Sequence, residues 1–126
     1  MKLTTPNEDY LERISELLDE KGYARVTDIA ERLRVKPASV TMMLKKLEIS
    51  GHVTREHYRG FTLTPKGITV GHNIKKRHTI LSEFLRLLHL PEKIIERDIE
   101  GLEHSISKET LDALETHIDQ LKKAIK

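Results

Sequence analysis

The sequence predicts a mainly α-helical fold with one small β-hairpin, in which an N-terminal winged helix-turn-helix precedes a C-terminal helical part. Three observations predict this class. Helix start and stop signals recur along the chain, two short helices follow each other across a tight turn, and a stretch with period-two alternation comes directly after them. We place the winged helix-turn-helix in residues 1–71 and the helical part in residues 72–126.

Composition and charge narrow the classes of protein. The chain has 126 residues and no cysteine, which excludes disulfides and thiolate metal ligands. It has no apolar run near the roughly 18 residues that a membrane span needs, and no signal-peptide pattern, so we expect a cytoplasmic protein without a membrane partner. Residues 1–76 hold 14 Lys/Arg against 10 Asp/Glu, and residues 77–126 hold 8 against 10. This asymmetry suggests an anionic partner at the front and a cation at the back.

The first predicted helix begins at a capping box, Thr5-Pro6-Asn7-Glu8, with proline at the first helical position, and ends at Lys21-Gly22. Asp9 and Glu12 stand i, i+3 on its polar face, opposite the apolar one. Most polar helix faces are simply solvated. The two carboxylates are ligands only if another helix comes to that face.

Residues 26–47 predict two short helices that form a helix-turn-helix, in which small Ala30 allows close crossing. Ile29, Leu33, Val35, Val40 and Met43 form its apolar side. Arg34 stands where many such turns have glycine, so we expect a longer turn there. The second helix enters the DNA major groove in this motif. Its predicted DNA contacts are Lys36, Pro37, Ala38, Ser39, Thr41, Met42, Lys45 and Lys46.

A β-hairpin is predicted next. Residues 52–56 and 61–64 alternate with period two around residues 57–60, where Gly60 makes the turn and Arg59 is a further predicted DNA contact. A hairpin placed directly after a helix-turn-helix makes a winged helix. From Arg25 to Arg59 there are 8 basic and 4 acidic residues. Double-stranded DNA is therefore the expected partner of this half.

Three helices are predicted in the C-terminal half. Thr64-Pro65 begins a long helix that reaches about Leu88, and Leu90-Pro91-Glu92 separates it from the next. The long helix is expected to bury Ile74, His78, Leu81, Leu85 and Leu88 on one face, and the next helix Ile95, Ile99 and Leu102. A lone histidine on an apolar face, such as His78, is more often a core residue than a ligand.

The last helix begins after Ser107 and carries an apolar strip with spacing 3, 4, 3, 4. The strip consists of Leu111, Leu114, Ile118, Leu121 and Ile125. Such a strip needs cover, and in so small a chain a second copy is the natural source. We therefore expect a homodimer.

The stretch Asp98-Ile99-Glu100-Gly101-Leu102-Glu103-His104 places Glu100, Glu103 and His104 on one helix face, at i, i+3 and i+4. Two carboxylates that close repel by about 4 kcal/mol at 4 Å if the effective dielectric constant is near 20. A divalent ion or a basic side chain relieves such repulsion. Two interpretations stay open from these residues alone: a solvated charged face, and a metal site.

Five segments together carry a family resemblance: residues 8–12, residues 20–26, Tyr58-Arg59-Gly60, Arg77-His78 and residues 98–104. In them the chain resembles the diphtheria toxin repressor family of metal-activated transcription factors, and its manganese-responsive branch most closely. The resemblance covers nearly the whole chain. It implies a metal pocket formed by Asp9, Glu12, His78, Glu100, Glu103 and His104.

The resemblance implies a Mn(II)-activated, DNA-binding repressor of manganese uptake genes, without enzymatic activity or a small-molecule substrate. Six ligands with four carboxylates are many for one ion and suit two ions per chain. Oxygen donors are hard ligands, which suit Mn²⁺. Two ligands fall in the DNA-binding part and four in the dimerisation part, so the bound metal is expected to bridge the parts and fix their geometry on DNA. A homodimer implies a palindromic operator.

Other functions are compatible with the same pattern. The chain could be an iron-responsive regulator, or a winged-helix regulator that needs no metal. A di-metal carboxylate enzyme is a third possibility. It is disfavoured because the chain has one Glu-x-x-Glu-His motif and no second motif of the Glu-x-x-His kind that di-iron bundles use twice.

Overall fold

The computed structural model describes residues 3–125, with Ile125 described through its backbone alone. The elements follow in the order α1 (Thr5–Lys21), α2 (Val26–Leu33), α3 (Pro37–Ile49), β1 (Val53–Glu56), β2 (Gly60–Leu63), α4 (Pro65–Leu87), α5 (Glu92–Ser105) and α6 (Lys108–Ile125). They form two compact units, Met1–Asn73 and Ile74–Lys126, here called unit 1 and unit 2. The predicted mainly α fold with one hairpin is confirmed. No helix within the described residues is long and apolar enough to cross a lipid bilayer.

Helix α1 begins one residue earlier than the sequence predicts. Thr4 is the capping residue, with extended backbone at φ −91° and ψ 167°, and its hydroxyl accepts from the Asn7 N–H at 3.4 Å. Thr5, the predicted cap, is already helical. At the other end Gly22 adopts φ 78° and donates its N–H to the Leu18 carbonyl at 2.9 Å. The predicted glycine stop is therefore confirmed.

The turn between α2 and α3 has three residues, 34–36, so the expected longer turn is wrong. Arg34 itself takes the left-handed conformation that glycine favours, at φ 58° and ψ 46°. Its N–H donates to the Glu31 carbonyl at 3.3 Å, and the Val35 N–H donates to the Ala30 carbonyl at 3.1 Å. A residue with a side chain pays about 1 to 2 kcal/mol for this conformation.

The core of unit 1 lies between α1, α2, α3 and the hairpin. Fully or nearly fully buried side chains come from each of them, among them Leu11, Ile14, Leu17, Ile29, Val40, Leu44, Leu47 and Phe61. Val35, expected on the apolar side, is 40% exposed because it lies in the turn rather than on a helix. This core holds α3 so that its opposite side faces outward.

The hairpin pairs β1 with β2 in an antiparallel register that runs from Val53↔Leu63 to Glu56↔Gly60. It is also paired to the segment between α1 and α2. The Ala24 N–H donates to the Arg59 carbonyl and the Phe61 N–H donates to the Ala24 carbonyl, both at 2.9 Å. Gly60 sits at this crossing with φ 75°. The wing is therefore fixed to the body of unit 1 by two backbone hydrogen bonds, both made by Ala24.

The core of unit 2 is formed by α4, α5 and α6. Its buried members are Ile80, Leu81, Ile95, Ile99, Leu111 and Ile118. Two residues of the predicted α4 face are exposed rather than buried. The His78 side chain is 52% exposed, and Leu88, which follows the end of α4, is 54% exposed because the helical periodicity stops before it. Leu102, expected to be buried, is 43% exposed.

The apolar strip of α6 is covered largely within its own unit. Leu111 and Ile118 are 6% and 1% exposed, and both pack in the unit 2 cluster, with Leu114 against it. The inference that this strip needs a second copy as cover is therefore wrong for these residues, because α4 and α5 provide the cover. The side chain of Ile125 lies outside the described residues.

Candidate metal centre and nucleic-acid interface

Glu103 is the centre of a polar cluster in unit 2. Helix α5 places it four residues after Ile99, on the buried side of the helix, and Glu103 is 3% exposed. Its Oε2 lies 3.0 Å from His78 Nδ1, and its Oε1 lies 3.5 Å from His104 Nε2. A buried carboxylate thus lies between two imidazoles. These oxygen and nitrogen donors are of the kind that bind divalent transition ions.

Arg77, to which the sequence analysis assigned no role, holds the end of α5 near this cluster. Its guanidinium Nη1 donates to the backbone carbonyl of Glu103 at 3.1 Å. Glu103 lies in the last turn of α5, where carbonyl groups lack helical partners and favour a positive charge. The signal available in the sequence was the position of Arg77 directly before His78.

Three of the four predicted unit 2 ligands are brought together, and the fourth is not. The His104 side chain is 2% exposed and contacts Glu103, whereas Glu100 is exposed on α5. Within residues 3–125 no group of three or more His, Asp or Glu side chains is arranged to hold an ion. The hydrogen bond between His78 Nδ1 and Glu103 Oε2 already uses one potential ligand atom of each residue. The donor types nevertheless fit a divalent ion.

The two predicted unit 1 ligands lie on α1. Asp9 is partly exposed, and Glu12 is 8% exposed. Glu12 Oε1 lies 2.9 Å from the Arg13 guanidinium. A simply solvated face, which the sequence left open for this pair, is therefore wrong for Glu12.

Helices α1 and α2 are joined by ion pairs. Arg32 of α2 donates to Glu20 at 2.6 Å, and its guanidinium lies 3.4 Å from Glu16. The hydrogen bond from Arg32 lowers the pKa of Glu20 below its usual value and raises the pKa of Arg32. Glu20 is exposed and Arg32 is partly exposed, so these ion pairs join α1 to α2 but add little to the stability of the fold.

The predicted DNA-reading side of α3 faces outward. All eight predicted residues on or beside this helix, Lys36, Pro37, Ala38, Ser39, Thr41, Met42, Lys45 and Lys46, are exposed. Val40, Leu44 and Leu47 are buried on the opposite side. This arrangement leaves lysines for phosphates and short or apolar side chains for base edges.

Arginines of the wing, and one directly before α2, have structural contacts. Arg59 Nε donates to the Gly22 carbonyl at 2.9 Å, so this predicted DNA contact also ties the wing to the end of α1. Arg25, which the sequence analysis passed over, donates to the Tyr58 carbonyl at 3.1 Å. Arg55, also passed over, has a 63% exposed side chain that lies over the Phe61 ring. Alternation places Arg55 on the same face of the hairpin as buried Val53 and opposite Phe61, and its guanidinium covers the Phe61 ring there.

Two family models match the chain, one for each half. Residues 2–61 match the iron dependent repressor, N-terminal DNA binding domain, and residues 64–125 match the iron dependent repressor, metal binding and dimerisation domain. Together they cover most of the chain.

Relatives and solved structures agree with these matches. The chain is 49% identical over 113 residues to the HTH-type transcriptional regulator MntR of Geobacillus kaustophilus (strain HTA426), which covers 89% of this chain and 80% of that protein. It is 47% identical over 113 residues to MntR of Bacillus subtilis (strain 168), which covers 89% of this chain and 80% of that protein.

The metal-dependent transcriptional regulator MtsR matches with a TM-score of 0.86 and 28% identity, over 92% of this chain and 55% of that one. The manganese regulator SloR matches with a TM-score of 0.80 and 29% identity, over 93% of this chain and 55% of that one. The chain thus spans about half the length of these solved structures.

Proposed function

The chain belongs to the iron-dependent repressor family of DNA-binding, metal-dependent transcriptional regulators, and we propose that it is a Mn(II)-activated repressor of manganese uptake genes. It is a regulator and not an enzyme, with DNA, a metal ion and a second copy of the chain as its partners. The cytoplasmic location expected from the sequence stays a prediction.

The observation that carries the proposal is the buried Glu103 carboxylate between His78 and His104. A buried charge is costly unless it is compensated, and a divalent cation compensates it more fully than two imidazoles do. We propose that the full ligand set is Asp9, Glu12, His78, Glu100, Glu103 and His104, and that it holds two Mn²⁺ ions per chain. When bound, the ions supply four positive charges that balance the four carboxylates.

Manganese is the proposed activator because the oxygen donors are hard and no cysteine is present. Raw affinity would favour Cu²⁺ or Zn²⁺ in any such site, so selection depends on geometry and on the availability of each metal. The similarity to SloR, described as a manganese regulator, and to ScaR, described as a manganese-activated repressor, supports manganese for this chain.

The mechanism follows from the distribution of the ligands. Asp9 and Glu12 belong to helix α1 of unit 1, and the other four belong to unit 2. If all six ligate together, they restrict the arrangements that the DNA-binding units adopt in the dimer. Only arrangements that match successive major grooves, about 34–36 Å apart, bind the operator well. Ligation thus selects a DNA-binding population, and DNA in turn tightens metal binding. A two-fold dimer also favours a palindromic operator.

A titration of operator binding against Mn²⁺, Fe²⁺ and Zn²⁺, beginning from chelated protein, tests the proposal. We expect operator binding to be weak without metal. Of the three ions, Mn²⁺ should activate it at the concentration that lies lowest relative to the free concentration of that ion in cells. Activation by Fe²⁺ in place of Mn²⁺ would identify an iron-responsive regulator. Binding that is unaffected by chelator would identify a metal-independent one.

Lys45→Ala should weaken DNA binding and lower its dependence on salt. Each lost phosphate contact reduces the slope of log K against log salt by about 0.9. Lys45 is exposed on the outward side of α3, so we expect a change of that size in a fluorescence anisotropy titration across salt concentrations.

Lys93→Ala is the matched control, because Lys93 is an exposed lysine of α5 in unit 2 and its loss changes the net charge equally. It should leave the slope unchanged. Equal slope changes in both variants would show that overall charge, and not a contact from α3, sets the salt dependence.

A further inference from the structure

A continuous series of charge contacts begins at Glu12 and runs along α1. The Arg13 guanidinium uses one arm, Nη2, on Glu12 Oε1 at 2.9 Å and the other arm, Nη1, on Glu16 Oε1 at 2.6 Å. Arg32 of α2 approaches the second oxygen of Glu16 at 3.4 Å. Arg13 is thus shared between two carboxylates, one of which is a proposed metal ligand.

The geometry of the contact between Glu12 and Arg13 is unusual for a helix. Side chains at i and i+1 do not face each other, whereas side chains at i and i+3 do. Glu16 is therefore the natural partner of Arg13 and accepts its hydrogen bond, whereas the contact with Glu12 is an ion pair only. Both side chains are largely buried, at 11% and 23% exposed, so water screens this contact less than an ordinary surface ion pair.

We propose that Arg13 sets the metal threshold of this protein by competing with the divalent cation for the Glu12 carboxylate. This inference rests on the proposed function, in which Glu12 is a ligand. The positive charge of Arg13 lies 2.9 Å from the Glu12 oxygen that a metal ion would bind, so it competes for that oxygen and repels the ion. Before Glu12 can ligate fully, Arg13 must release it.

Glu16 provides the place to which Arg13 moves. Arg13 already donates to Glu16, so release of Glu12 leaves the guanidinium paired rather than stranded. The contact from Arg32 holds Glu16 from the side of α2 and keeps it in position. Glu16 thus makes it easier for Arg13 to release Glu12. Arg13 therefore lowers the metal affinity, and Glu16 raises it.

The first test measures Mn²⁺ binding to the dimer without DNA, with the free-ion signal followed by electron paramagnetic resonance. Arg13→Gln should lower the Mn²⁺ dissociation constant about three- to tenfold, the range expected for loss of one partly buried ion pair. Glutamine is a good helix former, and Arg13→Ala, with still higher helix propensity, is a second variant that should shift in the same direction.

A double-mutant cycle separates competition from the general effect of charge. Glu16→Gln alone should raise the Mn²⁺ dissociation constant about two- to threefold, because Arg13 then stays on Glu12. In the Arg13→Gln background the same Glu16→Gln change should have no effect. Additive effects in the cycle would overturn the proposal, because long-range charge would then explain both changes.

Glu12→Gln distinguishes failure of this inference from failure of the proposed function. If Glu12→Gln binds Mn²⁺ as the parent does, Glu12 is not a ligand and both fail. If Glu12→Gln loses Mn²⁺ binding while Arg13→Gln and Arg13→Ala keep the parent affinity, the inference about Arg13 alone is wrong.

Discussion

Glu103→Gln should abolish Mn²⁺-activated DNA binding while the dimer stays intact. The substitution keeps the shape of a side chain that is 3% exposed, but it removes a charged donor between His78 and His104. An amide is a weak ligand, so we expect the Mn²⁺ affinity to fall by about a hundredfold or more. Calorimetric titration with Mn²⁺, together with sedimentation of the metal-free protein, measures both properties.

The matched control is Glu96→Gln, on the same helix and with the same change of charge. Glu96 is exposed, and we assign it no role in the metal pocket. It should bind Mn²⁺ within about twofold of the parent, as expected for a surface charge. Parent-like Mn²⁺ affinity and stoichiometry in Glu103→Gln would remove Glu103 from the ligand set.

Gly60→Ala should unfold or nearly unfold the wing. A Cβ atom at Gly60 would lie 2.6 Å from the Ala24 carbonyl oxygen and 3.0 Å from Arg25 Cα, and the backbone is held at φ 75°. The methyl group pushes Ala24 away and breaks the hydrogen bonds that tie it to Arg59 and Phe61. Strain and lost hydrogen bonds together cost about 3 kcal/mol or more, a large part of the stability of a small domain. Thermal unfolding and amide exchange at Phe61 measure the loss.

Two other glycines separate the causes of that loss. Gly51 has φ 81° with nothing within 4 Å of an added Cβ, so Gly51→Ala should lower the stability only through the backbone conformation, by about 1 kcal/mol. Gly67, within helix α4, has no positive φ, but a Cβ there would lie 2.1 Å from the His52 carbonyl oxygen. Gly67→Ala should therefore lower the stability only through this clash. If Gly60→Ala costs no more than Gly51→Ala, the packing against Ala24 is not what holds the wing.

The local structure of this chain is well predicted from its sequence because its boundaries carry strong chemical signals. Gly22 ends α1 in the left-handed conformation, and Thr64 accepts from the Gly67 N–H at 3.1 Å at the start of α4. Ser107 accepts from the Thr110 N–H at 3.2 Å at the start of α6. Period-two alternation located the hairpin between residues 53 and 63. Each signal depends on residues a few positions apart.

Packing between residues that are far apart in the sequence was predicted least well. Periodicity shows which residues share a helix face, but not what packs against that face. The strip of α6 was therefore assigned to a second copy, although α4 and α5 cover Leu111 and Ile118. Leu88 was assigned to the core because it continues a pattern, although its helix ends at Leu87.

The candidate site shows the same division. The i, i+3, i+4 spacing on α5 identified Glu103 and His104, but the approach of His78 from α4 depends on packing that no spacing within α5 encodes. Arg13 and Arg77 were missed because their roles lie in contacts with neighbouring groups, and the residue types alone are ordinary. The assignment of all six residues as ligands stays a prediction.

The left-handed Arg34 has a consequence for how this gene can change. Every arginine codon is a single base change from a glycine codon, so a mutation that relieves the turn of about 1 to 2 kcal/mol of backbone strain is readily available. That mutation would also remove one positive charge from the exposed connection that leads into α3. A single base change at this turn would therefore raise thermal stability and lower the positive charge beside the DNA-reading helix. Selection for heat resistance would favour that change.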